Sequence, residues 1–331
     1  NPLGPPGCAA APTAAPSRPP TRTLSRPPTR TLSRGGGDDD APPPACASAG
    51  FGDRARRALA PPRRRRRSKN ALFGIFDGHG PGGEHVSQFA AQELPKLLET
   101  HAELTTEPGK ALGESLLAVD DALRKRDDLE SNACGCTAVV VLFLGGAEPR
   151  LIAANVGNSR AVLGQRPAEA ATAEAEATTT ALALTADQSP ADPNEKARLE
   201  SAGHHVQDKS DVGDPARVFL DSSMSGGGLA VPRTLGDHAF SSAGLVAEPV
   251  ISTHTLSKET DNFLLLASDG VWDVMQTDEL VPFLAPTVAE GAMPACEALC
   301  NEAVKRWASS KDYQDDISVV CVRFDANVFT S

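Results

Sequence analysis

Carboxylates recur in this chain where apolar runs end or begin. Phe76-Asp77-Gly78-His79-Gly80 closes one such run, Ala267-Ser268-Asp269-Gly270 closes another with Asp273 following, and Asp315-Asp316-Ile317-Ser318 opens a third. A carboxylate at a strand end is held rigidly and is partly desolvated, which is costly for a lone anion and favourable when a divalent cation shares it. Asp-Gly taken singly is also ordinary turn chemistry. Three carboxylate-bearing strand ends together point to a divalent metal centre.

The elements that must carry these groups are visible in the hydrophobic period. Ala71–Phe76 is a short apolar run of strand formers ending at a turn. Gly82-Gly83 opens a helix with Val86, Phe89, Ala90, Leu94, Leu97 and Leu98 on one face, and Leu112, Leu116, Val119 and Leu123 repeat that period in a second helix. Strands are predicted at 137–144, 150–156 and 160–163. Gly157-Asn158-Ser159 offers tight-turn chemistry that would pair the last two in an antiparallel ladder. Residues 165–181 read as an expanded Ala/Glu/Thr loop between neighbouring strands, followed by a strand-like stretch at 181–185. Further strands are expected at 262–267 and 317–324, and a helix carrying Cys296, Leu299, Ala303, Val304 and Trp307. Strands arriving by hairpins and helices in pairs predict packed antiparallel sheets covered by helices, an α+β architecture.

Charge divides the 331 residues into two physically different parts. Residues 1–69 hold 14 Lys/Arg and 4 Asp, net +10, which leaves 18 basic and 39 acidic residues in 70–331, net −21, for a chain total of −11. The first part is rich in Pro, Ala, Gly and Arg and repeats Arg-Pro-Pro-Thr-Arg-Thr-Leu-Ser from Arg18 and from Arg26. It has too little apolar area to offset chain entropy and is expected to be a disordered arm. Ser25 and Ser33 within the repeats resemble sites of basic-directed kinases. Arg63 to Arg67 with Lys69 read as a nuclear address or an acidic-surface contact, an organelle transit peptide being the competing account, and a start at Asn1 leaves room for residues upstream. The longest apolar run, 138–144, is far short of the roughly 20 residues a membrane helix requires. Seven Cys without a secretory leader read as reduced thiols in the cytoplasm or nucleus. An acidic body argues against nucleic acid as the substrate class.

The ordered segments Phe73-Gly-Ile-Phe-Asp77-Gly-His-Gly80, Gly135-Cys-Thr137-Ala-Val139, Ala154-Asn-Val-Gly-Asn-Ser-Arg160, Leu229-Ala-Val-Pro-Arg-Thr-Leu-Gly-Asp237, Leu266-Ala-Ser-Asp269-Gly-Val-Trp-Asp273 and Asp315-Asp-Ile-Ser-Val-Val320 resemble the motifs of the metal-dependent Ser/Thr protein phosphatases of type 2C. The stretch from Arg217 to Glu248 is most similar to the plant and protist branches. The resemblance covers about residues 71–325. It implies a four-layer α/β/β/α sandwich over 70–331, a flap at about 187–228, and two Mg²⁺ or Mn²⁺ ions that activate a bridging hydroxide against phosphoserine or phosphothreonine. Asp77 resembles the bridging carboxylate, Gly78 the ligand through its carbonyl, and Asp269 and Asp315 the remaining ligands of one metal. His79 resembles the general acid that protonates the leaving alkoxide. Phosphoproteins are the implied partners, and a monomer is expected.

Four departures accompany the resemblance. The family's Glu and Arg, just over twenty residues before Asp-Gly-His-Gly, correspond to Asp53 as a weaker metal ligand and Arg54, Arg56 or Arg57 as the phosphate grip, in a segment without strand-like alternation. Asn158 replaces an Asp linked to a third, weaker metal that Asp273 would also approach. Asp187-Gln-Ser-Pro190 and Pro232 depart from the usual sequence and are expected to alter substrate contacts. His204 and His205 are expected on a solvent-facing loop of the flap. Two functional readings follow: an active phosphatase, or a catalytically impaired relative that binds phosphoproteins or scaffolds a partner.

Overall fold

Alternation along the strands decides the layers. The computed structural model describes residues 57–59, 70–167, 179–208, 215–224, 227–241, 245–310 and 314–329. In chain order the elements are β1 (Arg57–Leu59), β2 (Ala71–Phe76), β3 (Gly78–His79), α1 (Gly83–Glu99), α2 (Pro108–Arg124), β4 (Gly135–Cys136), β5 (Ala138–Leu144), β6 (Arg150–Val156), β7 (Arg160–Gln165) and β8 (Thr180–Ala183). Then follow α3 (Pro193–Ser201), β9 (His205–Gln207), β10 (Arg217–Phe219), β11 (Leu235–Gly236), α4 (His238–Ser241), β12 (Val250–Thr255) and β13 (Asp261–Ala267). The chain closes with α5 (Asp269–Trp272), α6 (Thr277–Glu290), α7 (Ala292–Ser310), β14 (Val319–Arg323) and a 3₁₀ turn at Ala326–Phe329.

Two antiparallel sheets, ordered β1-β2-β5-β6-β12 and β14-β13-β7-β8, pack face to face. In the first sheet Val140, Leu142, Ile152 and Ala154 point outward to bury Leu94, Leu112, Leu116 and Val119 of α1 and α2. Their neighbours Val139, Val141, Leu151 and Ala153 point inward, against Ala161, Leu163, Leu264 and Leu266 of the second sheet. The outer face of that second sheet, Val162, Phe263 and Leu265, carries Leu280, Leu284, Leu299 and Trp307 of α6 and α7. These are the expected α/β/β/α layers, and strands buried on both faces are why the runs read as continuously apolar. Each fully buried Leu, Ile or Phe contributes roughly 1.5–3 kcal/mol.

The expected ladder between 150–156 and 160–163 does not form. β6 pairs with β5 and β12, whereas β7 pairs with β13 and β8 in the other sheet. Gly157, at φ +101°, turns the chain across the sandwich. The groups a hairpin would use are already occupied: Gly157 N–H donates to Gln188 Oε1 at 2.6 Å, and its carbonyl accepts from Asn155 Nδ2 at 3.0 Å. β7 and β8 do flank the expanded loop as neighbours, although residues 168–178 lie outside the described residues.

The segment expected to lack a strand before Ala71 contributes one. Arg57–Leu59 pairs antiparallel with Phe76, Ile75 and Gly74 at the edge of the first sheet. An edge offers unpaired backbone groups that accept a segment without apolar alternation. The rest of 1–69 lies outside the described residues.

The flap has its own small core of Leu199, Val206, Val218, Phe240 and Leu245. His204 belongs to it, which corrects the expected solvent-facing loop: the ring is buried, its Nε2–H donates to the Phe240 carbonyl at 3.0 Å, and it lies 5.7 Å from the Phe240 ring. Apolar neighbours on β9 and β10 draw the imidazole in, while His205 starts β9 half-buried. Helix α3 begins at Pro193 behind Asp192, whose carboxylate accepts from the Asn194 and Glu195 N–H groups. From this helix Glu195 reaches Arg233, with Nε to Oε1 at 2.9 Å, and also Arg198. Burial opposes its ionisation, but the two guanidinium groups outweigh burial and hold the carboxyl below its ordinary value of 4.5. A depressed carboxyl contributes stability above its unfolded value and loses it as pH falls through the folded value. Glu195→Gln is therefore expected to lower the urea midpoint at about pH 6 and to lower it less as the pH is taken down through the carboxylate range, checked by urea melts along that series.

Candidate active site

Glycine contacts bring the three acidic segments to one edge of the sandwich. β2 ends at Phe76, and Asp77 is 4% exposed. Its backbone is fastened to Thr137, which accepts from the Asp77 N–H at 3.3 Å and donates its own N–H to the Asp77 carbonyl at 2.9 Å. Thr137 Oγ1 is tied to Ser159 Oγ at 2.8 Å. A Cβ on Gly78 would stand 2.2 Å from the Gly83 carbonyl oxygen, so only glycine lets α1 start against this segment. A Cβ on Gly270 would stand 2.1 Å from the Asp316 carbonyl oxygen, which brings the turn after β13 onto the loop before β14. Trp307 donates to the Gly270 carbonyl at 2.7 Å, and Ser268 N–H to Ser318 at 3.1 Å, closing the contact.

The result is a cleft of about 520 Å³. Asp77, Gly78, His79, Asn158, Asp269 and Asp315 line it together. Asp273 is exposed at the C-cap of α5 and outside that lining. Asp53, Arg54 and Arg56 lie outside the described residues, and of Arg57 only the backbone strand is described. The donor set is all oxygen, three carboxylates and a backbone carbonyl, which suits a hard divalent cation. Asn158 adds a buried Oδ1 without a hydrogen-bond partner, while its Nδ2 donates to Asp269 Oδ2 at 3.0 Å. A close cluster, with three ligand atoms within 4.8 Å of one another, is a separate feature of the structure. Among the described residues such a close cluster occurs at His101, Glu103 and Glu114 on the surface, where Lys110 neutralises the carboxylates. The cleft residues therefore fit a divalent metal by donor chemistry.

Asp237 was not singled out as a site residue in the sequence, and the structure places it on His79. His79 Nε2–H donates to Asp237 Oδ2 at 2.6 Å, with Asp237 1% exposed. This bond sets the ring's tautomer and orientation. Gly236 at φ +86° and Asp237 at φ +48° form a left-handed pair that aims the carboxylate. The pair is braced from behind by Asp120 of α2, whose Oδ1 accepts from the Gly236 N–H at 2.8 Å and from His238 Nε2 at 2.9 Å. Gly135 makes room, since a Cβ there would stand 2.2 Å from Asp237 Oδ2 and 2.6 Å from Thr234 Oγ1. The available signal was the Gly-Asp pair ending Leu229-to-Asp237, but nothing in its spacing points to His79, which is 158 residues away.

The other departures are structural. Asp187 takes a two-pronged hydrogen bond from Arg160 at 2.7 and 2.6 Å, and Arg160 also stacks 4.7 Å from the Trp272 ring. Gln188 braces the Gly157 turn, and the Pro232 carbonyl accepts from Arg198 at 3.0 Å. None of the three is among the residues that line the cleft, and each supports a neighbouring segment. Cys134 and Cys136 are unbridged; burial, then the nearby Asp237, pushes Cys134 up to about 11 and Cys136 well above its ordinary value. They are kept as neutral thiols, which disfavours thiolate ligation of zinc.

Two outcomes are expected. Asp237→Asn and Gly135→Ala should each lower kcat by about 10- to 100-fold with KM within about threefold, measured by steady-state phosphate release. Asn158→Asp puts a second carboxylate against Asp269, so without divalent cations the melting temperature should fall by about 2–4 °C, and Mn²⁺ should restore it, read by calorimetry.

Comparison with known proteins agrees with this geometry. The sequence model of the family described as Protein phosphatase 2C matches residues 54–312. The chain is 35% identical over 260 residues to probable protein phosphatase 2C 61 of Arabidopsis thaliana, covering 77% of this chain and 76% of that one. It is 34% identical over 265 residues to probable protein phosphatase 2C 64 of Oryza sativa subsp. japonica, covering 78% of this chain and 59% of that one. The fold matches the crystal structure of a serine-threonine phosphatase 2C from Toxoplasma gondii with TM-score 0.63 at 19% identity, over 82% of this chain and all of that one. The chain belongs to the protein phosphatase 2C family and is a metal-dependent protein serine/threonine phosphatase.

Proposed function

We propose that Asp77, the Gly78 carbonyl, Asp269 and Asp315 hold one Mg²⁺ or Mn²⁺ ion of a two-ion site that Asp77 would bridge, with Asp53 the candidate ligand of the second, and that His79 is the general acid toward phosphoserine and phosphothreonine in proteins. The observation that carries this reading is that residues up to 238 positions apart line one cleft, beside an imidazole fixed by a buried carboxylate at 2.6 Å. Bound divalent ions would supply Lewis acidity toward the phosphoryl group and lower the pKa of water. The chain's own residues supply the rest. Thr137 and Gly78 hold Asp77 rigid at the strand end, and the Gly270 contact holds Asp269 beside Asp315. With Nε2–H committed to Asp237, His79 passes its proton from Nδ1 to the departing seryl or threonyl oxygen as the P–O bond breaks and water oxygen bonds to phosphorus.

A third, weaker ion is disfavoured, because Asn158 turns an amide donor toward Asp269 and leaves one neutral oxygen in place of a carboxylate. A reducing compartment, cytoplasm or nucleus, is supported by the unbridged Cys134, Cys136, Cys296, Cys300 and Cys321. No helix among the described residues is long and apolar enough to cross a membrane. No described residue favours the impaired scaffold reading.

Phosphate release from a phosphothreonine peptide should rise with Mn²⁺ or Mg²⁺, stop in EDTA, and fall by at least about 100-fold in Asp77→Asn. Turnover persisting in EDTA would overturn the reading.

A further inference from the structure

The cleft has a second side. Besides the metal-site residues, its lining includes Arg217 at the start of β10, Leu220 just after it and the segment from Gly227 to Val231. Among the described residues that line it, four are aspartates and one alone, Arg217, is a lysine or arginine. Its backbone is held firmly: the neighbouring Val218 exchanges two backbone hydrogen bonds with Leu229, at 2.8 and 2.9 Å, and β10 pairs with β9. Alternation sends Val218 into the flap core and leaves Arg217 exposed. The guanidinium makes one hydrogen bond, Nη1 to the Gly228 carbonyl at 2.7 Å, and has no carboxylate partner among the described residues. Gly228 can sit there because it lacks a Cβ, which would meet the Phe219 ring at 2.6 Å.

An arginine tethered through one nitrogen is oriented, and the rest of its planar fork remains available to a carboxylate or phosphate. Burying or crowding it against a neutral surface would be unfavourable, so its complement is an anion. Residues 70–331 carry net −21, which repels acidic segments at long range, so reading one requires a local cation. The geometry points to substrate selection: Arg217 pairs with an anionic residue, carboxylate or second phosphate, flanking the phosphoserine or phosphothreonine being hydrolysed. This rests on the phosphatase reading above and names the substrate class of the same site.

The test compares the full chain with Arg217→Ala and Arg217→Lys, in Mn²⁺ at low salt. Substrates are a phosphothreonine peptide flanked by Glu, the same peptide flanked by a non-hydrolysable phosphonate residue, the same flanked by Gln, and p-nitrophenyl phosphate. The wild type should prefer one or both anionic flanks over Gln by about five- to tenfold in kcat/KM. Whichever of Glu or phosphonate gains more names the anion. Arg217→Ala should erase the preference and Arg217→Lys retain part of it. Hydrolysis of the Gln peptide and of p-nitrophenyl phosphate should be the same in all three proteins, which also reports that the variants fold. Equal loss on every substrate would mean that Arg217 grips the reacting phosphate, and no preference in the wild type would mean that it reads nothing; either overturns the proposal while the phosphatase reading stands. No turnover of any substrate by the wild type would overturn both.

Discussion

Four aspartates share one cleft, and holding them there against their mutual repulsion is the constraint to which the rest of the structure answers. Two unit charges 4 Å apart repel by about 4 kcal/mol at the effective dielectric of a protein surface. Side chains on flexible loops would swing apart. Here the loops cannot, because they are fastened backbone to backbone at Gly78 against Gly83 and at Gly270 against Asp316, and the turns are rooted in strands buried on both faces. Rigidity costs chain entropy, which the two sheets and four long helices offset by burial.

The same economy of contacts governs the His79 side of the cleft. Asp237 reaches His79 only because residues 236 and 237 are left-handed, because Gly135 has no side chain, and because Asp120 anchors the turn from α2. Arg233, two residues before Leu235, is held by Glu195 of the flap helix. One covalent stretch thus carries both the flap's ion cluster and the carboxylate that orients the imidazole. The flap and the His79 side of the cleft are therefore joined through packed, hydrogen-bonded atoms.

How far this was legible varies with the range of the interaction. The strand at 71–76 and the helices carrying Val86 and Leu112 follow from local period, and the structure keeps them. Asp77, Asp269 and Asp315 were legible because each stands beside an apolar run, and they do line one cleft. The hairpin expected across Gly157-Asn158-Ser159 was not realised. Turn chemistry is local, while the partner of β7 is β13, about a hundred residues on, and Gln188 satisfies the turn from elsewhere. His204 misled for the same reason: a His-His pair after Ala-Gly looks exposed until Val206, Val218 and Phe240 are assembled around it.

By itself, then, the sequence determined the periodicities, the acidic strand ends, the glycines beside them and the six ordered motifs, because each of these is written in residues near one another. Only the tertiary structure decided that β6 and β7 belong to different sheets, that Arg57–Leu59 completes an edge, and that Asp237 meets His79. It also decided that Arg217 lines the cleft. Those are contacts between segments far apart in the chain, and their distances depend on how closely the layers approach. That approach is set by packing volume and by the absence of single Cβ atoms, which no local pattern encodes.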